Sequence, residues 1–260
     1  MFRGLLSLLF LAVLYQNALA TPPSFDHSHA LWTKLLNQYV SVSGASSDVF
    51  YRRWKKDMTE LDQYLRSLSE VSKEEYSTFR PDERLAFLIN AYNAFTIKLI
   101  LNHYPVKSIK EIGGWFSSPW KQKFFGLLGK RTHLDSIEHD MIRQDFDEPR
   151  IHFALVCASR GCPALQSEAF VAKNLREQLE HAGKQFLRFR ERNYYDPQQN
   201  RLYLSKIFRW FGDDFASQYG SYRTFVADRI TDELSLQQKI SNSQVRVSFL
   251  DYDWSLNDAS

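Results

Sequence analysis

Apolar positions along this chain recur mostly at spacings of three and four rather than two, so the pattern predicts helices first. In "HALWTKLLNQYV", Leu31, Leu35, Leu36 and Tyr39 fall on one stripe, the spacing of a helix that lays one face on a core. Phe50, Trp54, Met58, Leu61 and Leu65 repeat it and predict a second helix from about Asp48 to Leu68, capped by Ser46, Ser47 or Asp48. "PDERLAFLINAYNAFTIKLILNHYP" is apolar on nearly every side from Leu85 to Leu101, which marks a central, wholly buried helix. Pro81 stands in its first turn, Asp82 and Glu83 follow where the helix dipole favours acids, and the helix stops before Pro105. Two amides, Asn90 and Asn93, interrupt the apolar surface three positions apart, hence on one face. A buried amide without a partner costs about 1–3 kcal/mol. Each must therefore clamp the backbone of a neighbouring loop or line a site.

Further along, "GGWFSSPW" and "FFGLLGK" form a loop-rich aromatic stretch suited to walling a pocket. "LDSIEHDMIR" reads as a short helix with Asp135 at its N-cap and Glu138 at capping-box spacing; His139 lies on an adjacent face, four residues before Arg143. "RIHFALV" (150–156) is apolar, follows Pro149 and is too short for a typical helix, so it is expected to be a buried strand. A long amphipathic helix follows from roughly Glu168 to Glu191. "NRLYLS" and "QVRVSFLDYDW" are two more strand candidates, with helical segments "SKIFRWFGDDF" and "SYRTFVADRI" between them. The expected fold class is α+β: a mostly helical body around a small antiparallel sheet, in a single domain.

The first residues change the picture of where the protein works. Arg3, the apolar run "LLSLLFLAVL" and the exit Ala18-Leu19-Ala20 read as a cleavable signal peptide over residues 1–20. The run falls short of the roughly 20 residues that span a bilayer. The mature chain is thus expected to be periplasmic or secreted, with a disordered lead-in at 21–27 and no integral membrane span after cleavage. With 33 basic and 30 acidic residues the charge is near balance, and no basic patch marks a nucleic-acid partner. A small molecule or peptide is the expected partner.

Candidate chemistry gathers in "RIHFALVCASRGCPAL" (150–165), which holds both cysteines, Cys157 and Cys162. Metal binding is disfavoured, because C-x4-C is wider than the usual knuckle and no second pair completes a tetrahedral set; no cofactor is implied. A structural disulfide closing a small loop is one reading, apt for an exported chain. The other is a reactive thiol at Cys157, with Arg150 or Arg160 favouring thiolate and Cys162 as resolving partner. A nucleophilic sulfur needs an oriented imidazole. Strand alternation sets His152 and Cys157 on opposite faces, whereas His139 meets no such objection, with Glu138 or an asparagine to orient it.

The segments "RLAFLINAYNAFTI", "SIKEI", "LDSIEHDMIR", "DEPRIHFALVCASRGCPAL", "LSKIFRWFGDDF" and "FLDYDWSLN" resemble, in that order, the motifs of the DUF547 family, here as an exported bacterial member. The likeness covers about residues 46–260, leaving 21–45 as lead-in and first helix. It places the family's motif positions at Asn90, Asn93, Glu138, His139, Arg150 to Phe153, Cys157 and Cys162-Pro163. Eukaryotic relatives often carry serine at the second cysteine position, and some relatives are fused to glutaredoxin-like domains, which implies thiol or glutathione chemistry. The leading expectation is a cysteine-dependent hydrolase or transferase acting on a peptide, amide or glutathione-like thiol. Cys157 is its nucleophile, His139 or His152 its base, and Asn93 and Glu138 assist. Asn90, Arg150, Ser159, Arg160 and Cys162 then hold the substrate. Alternatives are an envelope binding module for a small anionic peptide or thiol, and a structural domain with a Cys157–Cys162 disulfide.

Overall fold

The structure, a computed structural model, describes residues 24–114 and 117–259; the signal peptide expected over residues 1–20 and residues 21–23 lie outside the described residues. Helix α1 (Ala30–Tyr39) runs into a hairpin of β1 (Val40–Ser43) and β2 (Ser46–Val49). Helices α2 (Tyr51–Trp54), α3 (Thr59–Glu70), α4 (Lys73–Thr78) and α5 (Pro81–His103) follow. A second hairpin, β3 (Phe125–Leu127) and β4 (Lys130–Thr132), precedes a π-helix at Ser136–Ile142 that passes into α6 (Arg143–Asp145). A 3₁₀ turn at Pro149–Phe153 leads through the cysteine loop to α7 (Leu175–Arg188). The hairpin β5 (Tyr194–Asp196) and β6 (Arg201–Leu204) comes next, then α8 (Ile207–Phe211), α9 (Ala216–Tyr219), α10 (Tyr222–Ile230), α11 (Leu234–Ser241) and β7 (Arg246–Phe249). The class is α+β. The sheets are small: two antiparallel hairpins, and a third sheet in which β6 pairs antiparallel with β5 and parallel with β7.

Helix α5 begins as its sequence dictates. The Arg80 N–H donates to Glu83 Oε2 at 2.8 Å, and Pro81 fills the first turn. It is long and apolar enough to cross a membrane by composition, yet 89% of its apolar window is buried inside the body. Packed around it is the larger apolar cluster, with Trp32, Trp54, Leu61, Phe87 and Ile100. A second cluster is dominated by phenylalanines: Phe153, Phe186, Phe208, Phe215 and Phe225. Helix α7 approaches it closely at Gly183, where a Cβ would stand 3.4 Å from the Phe153 ring and 3.5 Å from Phe225.

Several local expectations need correction. The helix expected from Asp48 to Leu68 is three elements, because Ser46–Val49 pair with β1 as a strand before α2 and α3 begin. The lead-in is ordered from Ser24 onward: Phe25 is buried, edge-on to Phe87 at 5.2 Å. Helix α7 is shorter than the span Glu168–Glu191. Residues 150–156 form no strand. Pro149 and the Glu148 carboxylate, which accepts from Arg150 N–H at 3.1 Å, start a 3₁₀ turn instead. The ladder bonds a strand would need are supplied by one side chain: Asn93 donates to Ala154 O at 2.9 Å and accepts from Val156 N–H at 3.0 Å.

Candidate functional site

The cysteine loop is held from three sides. Asn93 grips the backbone just before Cys157. The C-terminal segment lies along the loop, with Arg160 N–H donating to Ser255 O at 2.9 Å and Gly161 N–H to Asp253 O at 2.8 Å. Only glycine fits at 161, since a Cβ there would sit 2.9 Å from Asp253 O and from the Tyr252 ring. From the far side the Arg192 guanidinium donates to the carbonyls of Ala45, Arg160 and Cys162. Within this frame Cys157 and Cys162 are joined as a disulfide, their Cα atoms 6.2 Å apart.

The bridge lies in the wall of a cavity of about 230 Å³. Trp120, Trp210, Phe211, Tyr252 and Trp254 form its aromatic side; Asp135, Glu138, His139 and His152 bring the polar groups. Cys157 is partly exposed, whereas Cys162 is 4% exposed. Donors gather around the bridge, and one of them is reserved for the buried sulfur. Cys157 N–H donates to Cys162 Sγ at 2.9 Å, while the Tyr252 and Ser159 hydroxyls stand by both sulfurs, 3.3 and 3.1 Å from Cys157 Sγ and 3.3 and 3.5 Å from Cys162 Sγ. Burial pushes the Tyr252 phenol up to about 12, so it keeps its proton at neutral pH.

The two imidazoles are held differently. His139 Nδ1 lies 2.8 Å from Arg143 Nη1. A guanidinium only donates, so Nδ1 accepts and the ring proton sits on Nε2, which faces Asp135 at 3.6 Å. His152 Nε2 lies 2.8 Å from Asp214 Oδ2. A carboxylate only accepts, so the proton is on Nε2 and Nδ1 turns toward Glu138 Oε1 at 3.9 Å, beyond hydrogen-bond reach. Phe211 stacks on the ring at 4.0 Å. Asp214 is anchored in turn by both arms of Arg143, at 2.6 and 2.7 Å. Burial opposes its charge, but the hydrogen bonds from His152 and Arg143 hold its carboxyl well below the ordinary range. Burial first, and the nearby Glu138 charge second, keep the phenol of Tyr92 in the cavity wall well above its usual value.

Residues 76–187 match the family described as "Protein of unknown function, DUF547". This chain carries a DUF547 domain. Neither the curated proteins nor the solved structures gave a match. The matched segment contributes Tyr92, Trp120, Asp135, Glu138, both histidines and both cysteines to the cavity. Ile207, Trp210, Phe211, Tyr252 and Trp254, together with Asp214 behind His152, come from beyond it.

Of the residues singled out from sequence, Cys157, Cys162, Glu138, His139 and His152 line one cavity of this DUF547 chain, and Ser159 backs the sulfurs. The others lie elsewhere. Asn90 donates to Phe170 O and accepts from Phe170 N–H, so it clamps a loop as Asn93 does, and neither amide lines the cavity. Arg150 is spent on Glu148 and Glu180. Arg160 points to Asp48 and the Asp258 carbonyl at the surface. The geometric objection to His152 falls as well. The strand that set His152 on the wrong face does not exist, and Glu138 is a cavity carboxylate in a π-helix rather than a capping-box partner. His133 Nδ1 accepts the Ser136 N–H at 2.9 Å in the place of the expected Asp135 cap. Asp214 and Tyr252 escaped notice; their only sequence signal is their place in the aromatic motifs "RWFGDDF" and "FLDYDW". Among the described residues no group of three or more His, Cys, Asp or Glu is placed to hold a metal.

Proposed function

We propose that this chain is an exported protein that exchanges thiols and disulfides through the Cys157–Cys162 bridge. The observation that carries the reading is the asymmetry of the two cysteines in the cavity wall: Cys157 is partly exposed, whereas Cys162 is 4% exposed and its sulfur alone takes the Cys157 N–H. An incoming thiol gives its proton to His152 Nδ1, whose ring is fixed by Asp214. The thiolate attacks Cys157 Sγ and forms a mixed disulfide. The Sγ–Sγ electron pair leaves on Cys162, whose thiolate takes hydrogen bonds from Cys157 N–H, Tyr252 and Ser159. A lower-pKa leaving thiol departs faster. A second thiol then releases the first as its disulfide and leaves the protein as a dithiol; the reverse sequence oxidises it.

The test is to mix oxidised mature protein with a small thiol, quench with alkylating agent and map adducts by mass spectrometry. The mixed disulfide is expected on Cys157, should accumulate in Cys162→Ser protein, and should be absent from Cys157→Ser protein. A bridge that opens only with unfolding would end this reading and favour a structural disulfide. A second reading follows from the same imidazole. In the reduced protein Cys157 with the His152–Asp214 pair has the parts for acyl transfer on a peptide or amide. Turnover of an amide reporter by reduced protein, lost in His152→Gln, would favour it.

A further inference from the structure

Resting on the thiol-exchange reading, we infer that the cavity selects thiols that carry an ammonium group. Its polar edge is formed by the Asp135 and Glu138 carboxylates, and among the described residues that line it there is no Lys or Arg. The Arg143 guanidinium, beside His139, is engaged by Asp214 and that imidazole. Glu138 Oε1 lies 3.9 Å from His152 Nδ1 and Asp135 Oδ1 3.6 Å from His139 Nε2, both beyond hydrogen-bond reach. A carboxylate has about four acceptor positions, so both retain capacity for an N–H donor. An independent observation points the same way. The His152 side chain is 2% exposed and lines the cavity, with its Nδ1 beyond hydrogen-bond reach of Glu138. That acceptor is available to a ligand N–H or S–H. Trp210 and Trp254 also line the cavity, and indole rings attract cations. Trp254 already carries the Lys110 ammonium 3.8 Å from its ring centre. A short aminothiol fits this arrangement: sulfur toward Cys157, ammonium between the carboxylates and the indoles. A thiol ending in a carboxylate meets like charge.

The experiment compares three thiols of similar size on oxidised, full-length mature protein: cysteamine, 2-mercaptoethanol and 3-mercaptopropionate. Each rate of bridge opening is divided by the same thiol's rate on a small reference disulfide, which removes differences in intrinsic reactivity. The normalised rate is expected to be at least about tenfold higher for cysteamine than for 3-mercaptopropionate, a ratio worth about 1.4 kcal/mol. Glu138→Gln and Asp135→Asn should each shrink that ratio, and together bring it near one. Equal or inverted normalised rates in the unmodified protein overturn the inference while leaving exchange intact. Failure of all three thiols to open the bridge overturns the exchange reading, and this inference with it.

Discussion

The two apolar clusters of this protein solve the same problem with different materials. The one around α5 is built from mixed aliphatic and aromatic side chains, and its buried polar groups are spent on backbone: Asn90 and Asn93 each make two bonds to a neighbouring loop. The cluster behind β5–β7 is smaller and rests on phenylalanine rings, with Phe153 and Phe225 parallel at 5.7 Å. Residues 151–154 feed both, since Ile151 and Ala154 belong to the first and Phe153 to the second. The cavity lies at that seam, taking Tyr92 and Leu155 from one side and Ile207, Phe211 and Tyr252 from the other. The lesson is that the candidate site occupies neither core. It occurs where a short irregular segment is pinned between two cores and its side chains face a gap.

If the seam is a true junction, damaging its anchor should be the most costly change. Phe153→Ala removes a ring in contact with Phe186, Phe208, Phe215 and Phe225. The expected loss is about 3–5 kcal/mol, seen as a fall of at least about 6 °C in Tm. Because adjacent residues serve both clusters, the melt should stay a single transition. Two resolved transitions would show the clusters to be independent and break the comparison.

Next in size come the amides, which separate stability from chemistry. Asn90→Ala and Asn93→Ala each orphan one buried N–H and one carbonyl, at about 1–3 kcal/mol per group. Their melts should therefore fall by similar amounts. Only Asn93 holds the backbone leading into Cys157, so only its variant should also slow thiol exchange, by about tenfold or more. Equal exchange rates in the two variants would mean that Asn93 plays no part in setting the sulfur.

A smaller effect is expected from opening the bridge itself. Chain entropy for so short a loop contributes about 2 kcal/mol, so reduction should lower Tm by about 4–8 °C without unfolding either cluster. The loop keeps its other anchors, Arg192 and the C-terminal segment. Loss of near-ultraviolet circular dichroism on reduction at 25 °C would contradict this.

The sequence was most legible where one element fills its own surroundings. Helix α5, with Pro81 at its start and apolar residues all round, could hardly be anything else. It was least legible where polar bonds come from afar. The segment 150–156 has the composition of a strand, yet its bonding partner is a single asparagine on α5, sixty residues earlier in the chain; no local pattern announces that. The same gap hid how the two imidazoles are held. His139 sits conspicuously beside Glu138 in the sequence, but Arg143, one turn on, occupies its Nδ1. The partner that orients His152 is Asp214, far along the chain in a 3₁₀ turn. Cys157 and Cys162, by contrast, were recognisable as a pair, and the open question of bridge or reactive thiol becomes a bridge that faces a cavity.

The finest test of the seam concerns Asp214, which ties a histidine of the DUF547 segment to a turn beyond it. Asp214→Asn should cost roughly 1 kcal/mol, the worth of a charge-assisted hydrogen bond partly open to water. Its pH dependence has a definite sign. The folded carboxyl is held below its unfolded value of about 3.9, so the stabilisation is present in full above that value. It is lost as pH falls further, through the folded pKa. The Tm gap between the unmodified protein and Asp214→Asn should thus be constant from pH 8 to pH 5 and close below about pH 4. In the exchange assay the same variant should lower the rate at neutral pH, because an amide can present its N–H to the ring and favour the other tautomer of His152. A gap that widens on acidification would show that Asp214 is not held as a charged group by His152 and Arg143. The link between the two regions would then be packing alone.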